Sequence, residues 1–227
     1  MDEVHEVTEL ITPGPAQALA GLLGVPDADD ELPLLWHWVY LLDRGRVWRH
    51  GPLRIGSAAT RRTWQASSAR KQGRSGPLVF VTAHTEVSRG GQVVITDEQD
   101  LVYREPGADN PARSGPSVAA AGRDRAVTVD PVLLFRFSAL TYNAHRIHYD
   151  RDYAQAEGYP GLVVHGPLQA LLMAEQARPV GSEYSYRLVA PLYEDQGLIV
   201  SAAADGDAVR VSCRDTTGRV TATGIIS

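Results

Sequence analysis

The chemically richest stretch of the chain is the run of residues 138–150, which reads Ser-Ala-Leu-Thr-Tyr-Asn-Ala-His-Arg-Ile-His-Tyr-Asp. Its functional side chains are those of Asn143, His145, Arg146, His148 and Asp150. An imidazole titrates near neutral pH, so a histidine can both accept and donate a proton during a reaction. A solvated polar loop uses the same residue types, but five such groups in so short a run favour a catalytic site. We predict that His148 is its acid/base.

Two histidines and a carboxylate in one run could also begin a metal site. His145, His148 and Asp150 would supply three nitrogen or oxygen ligands, enough for a catalytic zinc or iron ion. Their spacing lacks a companion ligand pair, however, and the single cysteine, Cys213, cannot build a thiolate site. We therefore predict neither a metal nor any other cofactor.

A second candidate feature is the sequence Val-His-Gly-Pro at residues 164–167, directly before the apolar run 168–177. The run predicts a buried helix with proline in its first turn. The N–H groups at the start of a helix can stabilise a developing oxyanion, and Gly166 would let a ligand approach the backbone closely. His165 is a candidate substrate-binding residue here, with capping or packing as the alternative, and Gly-Pro could also simply begin the helix.

The strongest basic cluster lies in the first half of the chain, at Arg70, Lys71 and Arg74. These side chains could bind the phosphates of a small ligand, or they could belong to an exposed hairpin turn. In the histidine-rich segment, Arg146 has the same two alternatives: a phosphate, or an ion pair with Asp150 or Asp152. His145 could orient the site or lie on the surface.

The elements that would position these residues follow from hydrophobic period and turn signals. In the first half we predict a helix at residues 15–23 closed by Gly24, a strand at 34–42, and a hairpin of strands 78–86 and 92–103 turning at 88–91. In the second half we predict a strand at 127–137, an irregular segment at 141–161, a helix at 168–177, and strands at 184–192, 198–204, 208–214 and 219–226. Helices packed on antiparallel strands define an α+β protein.

Composition and charge exclude several classes of protein. The 227 residues carry a formal net charge of −5, which argues against binding to a nucleic-acid backbone. No apolar run is long enough for a membrane span, and the acidic N-terminus lacks the pattern of a signal peptide. A single cysteine fits a reducing cytoplasm.

The two chemical segments together resemble the MaoC-like dehydratase family. The signature of that family is an aspartate, a histidine five positions later, and an acidic or amide residue two positions after the histidine. Asn143, His148 and Asp150 stand at those spacings. Residues 164–166 match its Val-His-Gly. Residues 137–150, 32–38 and 73–81 are most similar to the mesaconyl-CoA/itaconyl-CoA hydratases and the type 2 hydroxyacyl-thioester dehydratases.

The resemblance implies a double hotdog, two antiparallel sheets that each wrap a helix. Its expected parts are a degenerate N-terminal hotdog at residues 1–105, a linker rich in Pro, Gly, Ala and Ser at 106–124, and a catalytic hotdog at 125–227. A double hotdog already contains a pseudo-dimer, and two chains could in turn pair as a homodimer. The implied substrate is an acyl thioester of coenzyme A or of a carrier protein.

The implied reaction is addition or removal of water across the α,β double bond of that thioester. His148 would move the proton, Asn143 would hold water or hydroxyl, and the Gly166 N–H would stabilise the enolate oxygen. Asn143 stands where most of the family has aspartate, and an amide cannot take up a proton. The alternatives are a hotdog thioesterase and a non-catalytic protein that binds acyl thioesters or a partner subunit.

Overall fold

The computed structural model describes residues 4–40, 46–73, 76–104, 123–178 and 182–227. The chain folds into two compact units, residues 1–109 and 110–227. Most of the predicted linker at 106–124 lies outside the described residues. Among the helices of the described ranges, we find none with the length and apolarity that a membrane crossing requires.

The first unit is an antiparallel sheet with short helical segments. Its strands in spatial order are β1 (His5–Leu10), β3 (Ala58–Gly73), β4 (Gly76–Arg89), β5 (Gln92–Arg104) and β2 (Arg46–Arg49). The predicted hairpin is confirmed in β4 and β5, whose two-residue turn is Gly90-Gly91 with φ of 58° and 79°. Both residues occupy the left-handed region that this tight turn requires.

The predicted first helix is also confirmed, as α1 (Pro13–Leu23) with Gly24 as its left-handed cap. The strand predicted at residues 34–42 is wrong: a 3-10 helix occupies Trp36–Val39. Leu35 enters it with a positive φ of 68°, and the Trp38 indole N–H donates to the buried Asp97 carboxylate at 2.8 Å. An apolar run without alternation does not distinguish a strand from a buried helical turn, and these tertiary contacts decide it.

The second unit is an antiparallel sheet packed on one long helix, α4 (Gly166–Gln176). The strand order is β7 (Glu183–Leu188), β10 (Val220–Ile226), β9 (Ala208–Arg214), β8 (Leu198–Asp205) and β6 (Arg123–Val127). The helix and the last three strands confirm the predictions to within a few residues. Thr221 Oγ1 bonds Gln169 Oε1 at 2.6 Å, which satisfies both buried groups under the first turns of α4.

The strand predicted at 127–137 is wrong, because the chain forms helix α2 at Pro131–Leu140. Asp130 caps this helix by accepting the Leu133 N–H at 2.7 Å, and Pro131 occupies its first turn. These are standard start signals for a helix. The strand instead lies earlier, as β6, whose first two residues overlap the end of the predicted linker.

The segment predicted as irregular contains two short helical pieces. A 3-10 helix spans Arg146–His148, and helix α3 spans Arg151–Ala156. Asp150 begins α3 by accepting the Tyr153 N–H at 3.0 Å. The histidine-rich run is therefore ordered by local hydrogen bonds on both sides of His148.

Replacing Asp130 by alanine should lower the free energy of unfolding by about 1 kcal/mol, because the Leu133 N–H loses its acceptor. Urea denaturation monitored by circular dichroism measures this loss. The Asp130→Asn variant is the matched control, since asparagine caps helices about as well as aspartate and should stay near wild type. Equal stability of the alanine variant and the wild type would contradict the assigned cap.

Candidate active site

His148 ends the 3-10 turn and is buried, with 7% of its surface exposed. Its Nδ1 lies 2.7 Å from the carbonyl oxygen of Val163. A carbonyl only accepts hydrogen bonds, so Nδ1 must carry the proton, and in the neutral ring the lone pair is on Nε2. This arrangement fixes the tautomer that a general base needs.

The ring of His148 stacks on that of His165, the residue directly before helix α4. The centroids are 3.8 Å apart and the planes differ by 20°. The first bond within α4 runs from the Gln169 N–H to the His165 carbonyl at 3.2 Å, so the Gly166 N–H has no acceptor within the helix. The structure thus brings His148 next to the positive end of a helix.

Gly166 also permits a close approach by strand β7. An ideal Cβ atom at this position would overlap the Leu188 side chain at its Cδ1 and lie 3.3 Å from its Cγ. Leu188 is 48% exposed although it covers the start of the helix. A side chain at position 166 would therefore require the Leu188 side chain to shift.

Asn143 shapes the loop that precedes His148. Its backbone N–H donates to the Ser138 carbonyl at 2.9 Å, and its Oδ1 accepts the His145 N–H at 3.1 Å. Tyr142 reaches this turn with a positive φ of 48°. His145 is exposed, and its ring meets that of His148 edge-on at a centroid distance of 5.7 Å. Asn143 and His145 therefore belong to the same local structure as His148.

Arg146 points toward helix α3 and forms an ion pair with Asp150. Its guanidinium donates to Asp150 Oδ2 at 2.6 Å and lies 4.4 Å from the Tyr153 ring centroid. The Tyr153 N–H and then the Arg146 guanidinium hold the pKa of Asp150 below its ordinary value. Because Asp150 is bound in this way, it is not placed as a third ligand beside the histidines. Within the described ranges, no three His, Cys, Asp or Glu side chains are grouped to hold a metal ion.

The basic cluster of the first half lies in the other unit. Arg70 and Lys71 are exposed residues of β3, and Lys71 Nζ is 4.9 Å from the Phe80 ring centroid. Arg74 lies outside the described residues. The assignment of all three to a phosphate stays a prediction.

The sequence analysis missed Phe137 and Ser138 as parts of the site. Both are buried on α2, where the Phe137 ring meets His165 at 4.8 Å and Ser138 Oγ lies 2.9 Å from His165 Nε2. The start signals at Asp130 and Pro131 could have revealed the helix that carries them. No sequence signal connects Ser138 with a histidine 27 residues later.

The Asp150 carboxylate, which accepts the Tyr153 N–H and pairs with Arg146, should make stability depend on pH. Because the pKa of Asp150 is lowered in the folded state, its contribution is present above its unfolded value of about 3.9 and is lost as the pH falls through the folded value. Asp150→Asn keeps the helix cap but removes the charge. Urea denaturation should find this variant less stable than wild type at neutral pH and the difference shrinking in acid.

Asp152→Asn, on the same helix, is the control for this measurement. Asp152 has an exposed carboxylate and lacks the pairing with Arg146. Its variant should show little difference from wild type at any pH. A constant difference between Asp150→Asn and wild type from pH 7 to pH 2 would contradict the assigned pair.

Comparison with known proteins assigns the chain to a family. The family model for type 2 hydroxyacyl-thioester dehydratases matches residues 38–194. A mesaconyl-C(4)-CoA hydratase of Chloroflexus aurantiacus is 43% identical over an alignment that covers 86% of this chain and 83% of the relative. The chain therefore belongs to the type 2 hydroxyacyl-thioester dehydratase family, as the sequence analysis predicted.

Solved structures establish the fold. The protein HtdX of Mycobacterium tuberculosis superposes with a TM-score of 0.78 at 18% identity, over 99% of each chain. A second M. tuberculosis protein, described as a double hotdog, superposes with a TM-score of 0.60 at 17% identity, over 99% of this chain and 94% of that one. The predicted double hotdog fold is confirmed.

Proposed function

We propose that the protein is an acyl-thioester hydratase or dehydratase and that His148 is its catalytic acid/base. The observation that carries the proposal is the position of His148, with Nδ1 bonded to the Val163 carbonyl and its ring against the residue before α4. A base of fixed tautomer beside helix N–H groups suits a reaction that forms an enolate. The family relationship supports the same chemistry.

In the hydration direction, Nε2 of His148 takes a proton from water as the water oxygen bonds to the β-carbon of an α,β-unsaturated thioester. The electron pair of the double bond moves to the thioester oxygen as an enolate, which the Gly166 N–H stabilises. The His148 imidazolium then returns a proton to the α-carbon, and a 3-hydroxyacyl thioester leaves. Dehydration is the reverse sequence, with the same atoms and protons.

Asn143 would hold the oxygen of the reacting water or hydroxyl. Its Oδ1 accepts the His145 N–H, so its NH₂ group is the part that can donate to a ligand. An amide cannot share the proton transfer, which leaves that task to His148. His145, at the edge of the His148 ring, would help to orient it.

The proposed substrate is a coenzyme A thioester, supported by the named activity of the Chloroflexus relative. A carrier-bound acyl group is the second candidate. Arg70, Lys71 and Arg74 are proposed to bind the phosphates of coenzyme A or of the carrier-protein arm. The C-terminal hotdog at 125–227 would be catalytic and the N-terminal one at 1–105 degenerate, in a cytoplasmic protein that can form a homodimer.

Replacing His148 by alanine should lower kcat/KM at least about 10³-fold, because the proton acceptor and donor are lost together. Hydration of an enoyl-CoA, followed by loss of its ultraviolet absorbance, measures this change. His50→Ala is the matched control, since His50 is an exposed histidine bonded to Thr96 in the first unit. Turnover by His148→Ala near the wild-type rate, with an unchanged circular dichroism spectrum, would reject the assignment.

A thioesterase would use the same fold but would direct water to the thioester carbonyl, usually with a carboxylate as base or nucleophile. Asp150, the carboxylate nearest to His148 along the chain, is bound to Arg146. Glu194, in the segment after β7, is bound to Arg151. Asn143 offers an amide instead. The arrangement therefore favours a hydro-lyase.

Incubation of the protein with enoyl-CoA should consume the double bond without releasing free thiol. A thiol reagent detects any coenzyme A that is released, and Cys213 should not interfere, because burial raises the pKa of its thiol. Release of thiol in step with loss of substrate would instead identify a thioesterase. Binding of the thioester with neither change would identify a non-catalytic binding protein.

A further inference from the structure

The stacked imidazoles lead to an inference about Ser138, which the sequence did not mark as functional. We propose that Ser138 and His165 are positioning residues: they hold the His148 ring in its reactive orientation and keep the second imidazole uncharged while His148 takes up a proton. The inference rests on the proposed acid/base role of His148. It concerns how the same site is held and tuned.

His148 is constrained from two independent directions. The bond from Nδ1 to the Val163 carbonyl at 2.7 Å fixes one edge of the ring but leaves it able to rock about the N–H axis. The stacked ring of His165, at 3.8 Å and 20°, covers one face and removes that freedom. The two contacts together determine where Nε2 points.

His165 is in turn held by helix α2. It is completely buried, with the Phe137 ring against it at 65° and Ser138 Oγ 2.9 Å from its Nε2. The same Ser138 accepts the Asn143 N–H through its backbone carbonyl at 2.9 Å. One residue of α2 therefore connects the support of His148 with the loop that carries Asn143.

The stacking also restricts charge. Two imidazolium ions at this separation in a buried site would repel each other strongly, so the pair can carry only one positive charge. His148 carries that charge during the reaction, which requires a neutral His165. The Ser138 hydroxyl can donate to Nε2, and an imidazole nitrogen accepts such a bond only when it is unprotonated.

Other charged groups surround the pair without replacing this function. The carboxylates at the start of α3, along α4 and after β7 are those of Asp150, Asp152, Glu175, Glu194 and Asp195. Asp150, Glu175 and Glu194 are paired with Arg146, Arg178 and Arg151, and Asp152 and Asp195 are exposed. The other titratable side chains near the rings are those of Arg136, His145, Tyr149, Tyr153, Tyr159 and Tyr193.

The test uses the full chain and the variants Ser138→Ala and Ser138→Thr. The alanine variant should lower kcat by about 10- to 100-fold, as expected for a misplaced catalytic group, with KM within about twofold of wild type. Because His165 could then take up the extra proton in place of His148 more readily, the acid limb of the pH–rate profile should move to higher pH. Threonine keeps the hydroxyl and should recover kcat and the profile.

Ser212→Ala, which removes a hydroxyl from β9, is the control. Its kcat and the acid limb of its pH–rate profile should match those of wild type. His165→Gln is a second probe. If burial of the glutamine prevents this variant from folding, Ser138→Ala and Ser138→Thr still test the proposal. An alanine variant with wild-type kcat and an unmoved acid limb would overturn the proposal. So would a threonine variant that remains as impaired as alanine.

Nitrogen NMR of the imidazoles separates this proposal from the proposed reaction. The wild-type spectrum should show His148 as the tautomer protonated at Nδ1, and Ser138→Ala should broaden or shift the His148 signals. This readout does not depend on turnover. If no acyl thioester is turned over, the proposed function fails, but the spectrum still tests whether Ser138 and His165 position His148. Unchanged His148 signals in Ser138→Ala would reject that positioning role without affecting the proposed function.

Discussion

The site depends on the backbone of Val163 and Val164, the two residues before His165. The Val163 N–H donates to the Ile147 carbonyl at 2.9 Å, and its own carbonyl accepts from His148 Nδ1. The Val164 N–H then donates to the Leu192 carbonyl at 2.8 Å. Because an unpaired buried backbone group is costly, these bonds fix the turn that carries His148 against the strand-like entry to α4.

Helix α4 makes this arrangement rigid, because its side chains from Leu168 to Ala174 are buried against the sheet. An apolar helix surface of this kind cannot slide without exposing large side chains, and hydrophobic burial therefore sets the position of its first turn. The polar groups inside follow that position. Gln169 reaches Thr221, and Ser138 reaches His165, so the buried hydrogen-bonding groups satisfy each other rather than water.

The first unit contains buried polar chemistry of a different kind. His37 lies 3.4 Å from Asp97, and the same carboxylate accepts the Trp38 indole N–H. These contacts hold a short 3-10 helix, whereas the second unit builds its site at the start of a three-turn helix. His37, Trp38 and Asp97 form one buried polar cluster that stabilises this part of the first unit.

Much of this protein was determined by sequence alone. The apolar run after Gly166, the Gly-Gly turn and the spacing of Asn143 and His148 predicted the helix, the hairpin and the family, because each is a local pattern with a local physical cause. The tertiary structure decided the rest. It made residues 131–140 a helix, paired Arg146 with Asp150, and placed His165 and Ser138 beside and behind His148. Contacts between residues far apart in the chain form only when the core packs, so they leave no mark in local spacing.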